Sequence, residues 1–214
     1  LRIQRIAVHP DCRRAGIGRA LADAARASAH GDGLDWLGTS FGMTAEVLDF
    51  WLACGLRPAR VGNRRDASSG SHAVILLQGL DPHGDELLAQ ARQRMAVHLP
   101  DQLAQGLSGV PAALAARLQQ DLPAPGDPAA IDQVDLEAFA RGHRSLLDTH
   151  GALARWAVSG AESLDGDDRA LLDAAVDRPM DGTAMAQTAG LSGRREAIAR
   201  LRKLLAQCLR TDDE

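Results

Sequence analysis

An α/β unit over residues 1–82 followed by an all-α tail over residues 83–214 is the architecture this sequence predicts. Three observations point to it. The apolar run Ile3 to Val8 passes through Pro10 into the glycine turn Arg13-Arg14-Ala15-Gly16-Ile17-Gly18-Arg19, and an alanine-rich helical stretch follows at once. The segment His72-Ala73-Val74-Ile75-Leu76-Leu77 has the strongest β character in the chain. From Asp81 onward the apolar spacing becomes that of amphipathic helices.

Taken in order, Ile3, Ile6 and Val8 predict a strand that Pro10 ends, because proline lacks an N–H and fixes φ. Gly16 and Gly18 carry no Cβ, so a bulky anion can approach their main chain. Residues 19–29 include six alanines, and the helix they predict points the positive end of its dipole at the turn. Backbone N–H groups gathered there, with Arg13, Arg14 and Arg19 beside them, form a cradle for phosphate. Two glycines after a strand also make an ordinary tight turn. The order strand, arginines, glycines, helix favours the anion site.

His30-Gly31-Asp32-Gly33 reads as a turn, and Leu34 to Phe41 as a buried strand ending at Gly42. Thr44 suits a helix N-cap; Val47, Leu48, Phe50, Trp51 and Cys54 give the helix its apolar positions, and Gly55 stops it. Leu56 to Val61 predicts a strand interrupted by Pro58, and Gly62 to Gly70 a polar turn before the strand at His72–Leu77. Trp36, Trp51, Phe41 and Phe50 are expected in the core. The tail predicts helices over Gly84–His98, Pro111–Gln120, Asp132–Ala140, Ser145–Val158, Asp167–Val176 and Gly193–Leu209. The segment Leu122-Pro123-Ala124-Pro125-Gly126-Asp127-Pro128 is a linker by composition.

Composition narrows the classes further. The 214 residues are 45% hydrophobic, ample for a core, with 3% aromatic content, no tyrosine, and Lys203 as the single lysine. Net charge is −4, but residues 1–65 carry ten arginines against six acids, and residues 66–193 carry eight basic against eighteen acidic residues. Residues 194–214 return to six basic against four acidic, so a polyanion is expected at the basic ends. Cys12, Cys54 and Cys208 are odd in number and widely spaced, which gives no disulfide or metal pattern and fits a reducing cytoplasm. No apolar run reaches membrane-spanning length. The start at Leu1, directly in a strand, reads as part of a longer polypeptide.

Strand, glycine turn, helix, strand, helix and β-hairpin is the order of the second half of a Gcn5-related acetyltransferase fold. More specifically, the blocks Arg5–Pro10, Ser40-Phe41-Gly42, Phe50-Trp51 and Gly62–Gly70 resemble the tRNA(Met) cytidine acetyltransferase family. Phe139–Leu147 and Leu191–Arg194 look like that family's C-terminal region. The resemblance covers essentially the whole chain. It implies a Gcn5-related α/β acetyltransferase half-domain followed by an all-α tail, and an enzyme using acetyl-CoA to acetylate N4 of the wobble cytidine in elongator tRNA(Met). It also implies a helicase-like, ATP- and Mg-dependent module, which this chain lacks together with the first strands of the acetyltransferase fold.

Carried over by position, the resemblance places Ile6, Ala7 and Val8 on the strand pairing with the pantetheine arm. Arg13, Arg14, Ala15, Gly16, Ile17, Gly18 and Arg19 fall in the pyrophosphate loop, and Glu46 near the acetyl thioester. Where that family carries an arginine in the last turn of the second helix, this chain has Ala53. The cytosine N4 amine is scarcely basic, so late proton removal suffices, and Glu46 and His72 are the candidate relays. Each has a plainer reading, Glu46 as a first-turn acid complementing a helix dipole and His72 as a surface residue at a strand start. The tyrosine that many such enzymes use as general acid has no counterpart here.

For tRNA the candidates are Asn63, Arg64 and Arg65 in the polar turn, His143 and Arg144, and Arg194 and Arg195 at the start of the last helix. Arginine suits phosphate and asparagine a base edge. A solvated turn and an arginine-rich solvated face are the plain alternatives. Two other functions remain open: acetyl transfer to a protein or small amine, and a non-catalytic RNA- or partner-binding piece.

Overall fold

The computed structural model describes residues 1–66, 70–107, 109–159 and 164–211. It combines an α/β portion built on a mixed sheet with a helical portion, in two compact units. The first comprises Leu1–Ala96 and Gly109–Ala124, the second Val97–Ser108 and Pro125–Glu214.

In the first unit, β1 (Arg2–Ile3), β2 (Trp36–Gly42), β3 (Arg57–Arg65) and β4 (His72–Gly79) form a sheet in the order β1-β2-β4-β3. β1 runs parallel to β2, while β4 pairs antiparallel with both β2 and β3. Residues of β4 alternate between buried and half-buried, with His72, Val74 and Leu76 inward, the two-residue period a one-sided sheet requires. Leu37, Leu48, Trp51, Leu56, Val61, Val74 and Leu76 fill the core with Ala22 and Ala29 of α1 (Ile17–Gly31).

The expected first strand is much shorter than the apolar run that predicted it. Only Arg2 and Ile3 pair, with Gly38 and Thr39, and the chain then leaves the sheet. The Thr39 hydroxyl donates to the Ile3 carbonyl at 3.1 Å where the two strands separate. Ile6 and Val8 are half-buried, so their apolar character serves packing rather than a ladder. Pro10 opens a single 3-10 turn, Pro10–Cys12.

α2 (Ala45–Ala53) is capped by Thr44, whose hydroxyl accepts from the Val47 N–H at 3.4 Å. Gly55 follows it in the left-handed region, φ +90°. Trp51 is buried as expected and Phe41 and Phe50 are half-buried, but Trp36 is 36% exposed, because the first residue of β2 lies at the sheet margin. Pro58 does not break β3: that strand is the sheet edge, and a register shift between Pro58 and Arg60 absorbs the missing donor. β3 continues through Asn63, Arg64 and Arg65, which were expected in the turn. Arg65 pairs with His72, and the Asp66 N–H donates to the Ser71 carbonyl at 2.9 Å, so the reversal begins only at Asp66. Residues 67–69 of the expected turn lie outside the described residues.

α3 (Pro82–Gln105) starts where the Asp81 carboxylate accepts from the Gly84 N–H at 2.7 Å. It runs through Pro100, seven residues past the expected end at His98. An interior proline costs about 3 kcal/mol. Within the second unit the buried Leu99 and the contacts of His98 with Asp135 and of Asp101 with His150 hold the turns on either side. α4 (Ala112–Asp121) belongs to the first unit, where Arg92 donates to Asp121 at 2.8 Å.

The second unit contains α5 (Ala129–Ala140), α6 (Leu146–Ser159), α7 (Gly166–Asp177), α8 (Gly182–Thr188) and α9 (Arg194–Thr211). Phe139, Leu153, Leu171, Leu172, Met185, Leu201 and Leu205 are all buried in one cluster. α8 was not expected: seven residues are too few to show a period, although Asp181 caps it by accepting from the Ala184 N–H at 2.9 Å.

Candidate functional site

The site is assembled where two parallel strands part. After Ile3 and Thr39, residues 4–9 diverge while β2 continues to Gly42, paired on its other side with β4. The main chain of Ser40–Gly42 therefore has no strand on its β1 side among the described residues. α1 follows β1 through the glycine turn, and α2 follows β2 directly. Both helices thus begin beyond the carboxyl ends of the parallel pair, the position where open α/β sheets bind ligands.

The glycine turn has the features of an anion cradle. Gly16 is the N-cap of α1 at φ +82°, ψ −5°, a left-handed conformation open to glycine, and no side chain caps the helix. Arg14, at φ +65°, also adopts the left-handed region, and alternation of this kind turns successive N–H groups toward one point. The first N–H groups of a 15-residue helix thus lack a side-chain cap among the described residues, with the positive dipole end behind them. Arg13, Arg14, Ala15, Ile17 and Arg19 are exposed around the turn, and Arg13 Nε donates to the Val8 carbonyl at 3.4 Å.

Gly18 is glycine for a different reason. A Cβ there would lie 3.2 and 3.3 Å from two ring atoms of Phe50 and 3.8 Å from Val8 Cγ2. The turn, the segment after β1 and α2 therefore meet at this residue. Ile6 is half-buried and Ala7 exposed on the same diverging segment. Glu46 is exposed in the first turn of α2 and lies four residues before Phe50, on the same helix face.

His72 is 4% exposed, not the surface residue its place at a strand start suggests. Its Nδ1 lies 2.9 Å from the Gly62 carbonyl, which only accepts, so Nδ1 carries a proton there, and Nε2 is enclosed. The His72 carbonyl accepts from the Met43 N–H at 2.9 Å, which places this residue beside the β2–α2 connection. Burial pushes the Cys54 thiol up, with weaker effects from Arg19, Asp23 and Arg26.

Of the residues expected to face RNA, Arg64, Arg65, His143 and Arg195 are exposed. Arg194 is exposed and donates to the Met180 carbonyl at 3.1 Å. Arg144 is turned inward instead: it lies 3.4 Å from the buried Asp135 carboxylate and donates to the Asp148 carbonyl at 3.1 Å.

Arg144 belongs to a buried polar cluster in the second unit that sequence reasoning missed. His98 Nε2 meets Asp135 at 2.8 Å, His150 Nδ1 meets Asp101 at 2.9 Å, and Arg155 donates twice to Asp132 at 2.6 and 2.7 Å. The available signal was the spacing of His98 with Asp101 and of Asp132 with Asp135, each pair three apart on one helix face. Among the described residues no group of three or more His, Cys, Asp or Glu side chains is arranged to hold a metal ion. No described helix is long and apolar enough to cross a membrane.

Residues 24–81 match the family described as GNAT acetyltransferase 2. The chain is 38% identical, over 95% of its length, to a tRNA(Met) cytidine acetyltransferase of Nitrosococcus halophilus, of which it covers 28%. It is 33% identical over 91% of its length to the enzyme of that name from Vibrio cholerae, and 35% identical over 97% to that of Salmonella typhimurium. It spans 26% and 29% of those two proteins, so the match is nearly complete for this chain and partial for its relatives. Over almost all of its sequence, the chain belongs to the tRNA(Met) cytidine acetyltransferase family.

Proposed function

We propose that this chain is the C-terminal part of an enzyme that uses acetyl-CoA to acetylate N4 of the wobble cytidine in elongator tRNA(Met). In this reading residues 1–82 are the second half of a Gcn5-related acetyltransferase domain, and residues 83–214 a helical tail facing tRNA. A helicase-like module that uses ATP lies in the rest of the polypeptide. The carrying observation is the parting of β1 from β2 beside the uncapped N-terminus of α1.

The residues present fit the cofactor. Gly16 in its left-handed conformation and the free N–H groups of the first turn of α1 suit a diphosphate, and Arg13, Arg14 and Arg19 supply counter-charge. The diverging main chain of Ile6, Ala7 and Val8 suits an extended amide-bearing arm. When bound, acetyl-CoA supplies an acetyl group activated as a thioester. Fixing that arm relative to the acceptor removes entropy from the barrier, an effect worth several kcal/mol in well-aligned reactions. Glu46, exposed on the α2 face that also carries Phe50, accepts the proton that the N4 amine gives up late in the reaction. His72, enclosed and bonded to Gly62, fixes the β3–β4 hairpin beside the site and moves no proton in this scheme.

On the RNA side, Arg64 and Arg65 at the end of β3 contact phosphate and Asn63 stands beside them; in the tail, His143, Arg194 and Arg195 serve the same purpose. Arg144 supports His143 by anchoring the start of α6.

The test is nucleoside mass spectrometry of bulk tRNA from cells lacking the parent gene, with and without re-expression. Loss of N4-acetylcytidine, restored by the wild-type gene and not by a Gly16→Val/Gly18→Val double variant, supports the reading. Unchanged N4-acetylcytidine in the deletion strain overturns it and moves the search to protein or small-amine acceptors.

A further inference from the structure

The two glycines of the turn are explained by different physics, and the difference assigns a task to Phe50. Gly16 has open space where a Cβ would stand and needs glycine only for its positive φ. Gly18 lies inside α1, where glycine is about 1 kcal/mol worse than alanine. Its compensation is contact: the ring of Phe50 fills the volume a side chain would take, at 3.2 and 3.3 Å.

That ring is itself braced. Its centroid lies 5.0 Å from the Trp51 ring at an interplanar angle of 69°, an edge-to-face pair, and Trp51 is buried in the core. Phe50 therefore transmits the position of the core to the first turn of α1. It also stands four residues after Glu46 on α2.

We propose that Phe50 is a positioning residue: its ring sets the height of the α1 N–H donors that hold the cofactor diphosphate, and fixes their distance from Glu46. The proposal rests on the acetyl-CoA reading of the turn. A shorter side chain at position 50 lets the turn sink, and a methyl group at position 18 lifts it. Either change misaligns donors whose hydrogen bonds to a charged group weaken within a few tenths of an ångström.

The test uses the full-length enzyme that contains this chain, with coenzyme A as calorimetric probe and acetyl-CoA and tRNA as kinetic substrates. Gly18→Ala and Phe50→Leu each weaken coenzyme A binding by about tenfold or less, as expected for a lost or bent charged hydrogen bond. Gly18→Ala combined with Phe50→Leu binds better than the product of the single effects predicts, because the methyl group enters the space the ring vacates. In all of these variants the KM for acetyl-CoA moves with the affinity, while the KM for tRNA holds. Multiplicative single effects, or equal movement of both KM values, overturn the assignment of Phe50. A wild-type enzyme that binds no coenzyme A overturns the acetyl-CoA reading itself, a distinct outcome.

Discussion

His150 presents Nδ1 to both carboxylate oxygens of Asp101 at 2.9 Å, while its Nε2 lies 2.7 Å from the Val176 carbonyl. Both partners only accept, so the ring satisfies them by carrying two protons. Burial, the largest effect, lowers its pKa, but the hydrogen bonds to Asp101 and Val176 and the Asp101 charge together raise it above the ordinary value. A group whose folded pKa is raised gives stability that is complete below the unfolded value, about 6.5 for histidine, and lost as pH rises through the folded value. The urea midpoint of the protein is expected to fall as pH rises through that interval, and His150→Gln to flatten the slope there. An unchanged slope in the variant contradicts the imidazolium.

Arg144 and Arg195 separate structure from RNA contact. Removing Arg144 leaves the Asp135 carboxylate, 1% exposed, without the guanidinium 3.4 Å away. Arg144→Ala is expected to cost about 2–4 kcal/mol in denaturant unfolding. Arg195→Ala is expected to leave the unfolding midpoint in place and to reduce the salt dependence of tRNA binding by about one phosphate contact.

Gly84→Ala tests the joint between β4 and α3. A Cβ at Gly84 would run into the Asp35 carbonyl oxygen, and the Leu80 N–H donates to that same oxygen at 2.8 Å. Backbone on both sides leaves little room to yield, so a loss of about 3 kcal/mol or more is expected. Thermal unfolding of Gly84→Ala beside Gly31→Ala, where the Cβ meets open space, checks it.

Cys12 and Cys54 should differ in reactivity. Cys12 is exposed, whereas Cys54 is buried with a raised thiol pKa. In native protein at neutral pH, N-ethylmaleimide is expected to label Cys12 quickly and Cys54 only on unfolding. Peptide mapping by mass spectrometry reads both; rapid native labelling of Cys54 contradicts its burial.

Much of the fold was legible because its signals are local. Thr44 and Gly55 mark the ends of α2 by their own chemistry, and the alternation of β4 follows from one buried face. What escaped depends on distant partners. Nothing local shows that the chain leaves the sheet after Ile3, since Ile6 and Val8 are apolar in either case. His72 is enclosed by residues ten positions back, and Arg144 is drawn inward by Asp135 on the preceding helix. Pro100 stays within a helix whose neighbouring His98 and Asp101 are held by partners on α5 and α6. The turn itself was readable from its glycines, but the contact that explains Gly18 lies on α2, thirty-two residues away.

The unequal margins of the sheet govern how it meets other strands. β3 carries Pro58, two register shifts and the charges of Arg57, Arg60, Arg64 and Arg65, features that deny a foreign strand a straight template. The opposite margin offers β1, two residues long, and the flank of Ser40–Gly42, which no strand covers among the described residues. Sheet extension is therefore directional. A strand from elsewhere in the same polypeptide, or from a misfolded neighbour, therefore finds its straighter template at the β1 margin, where the chain runs on into the glycine turn.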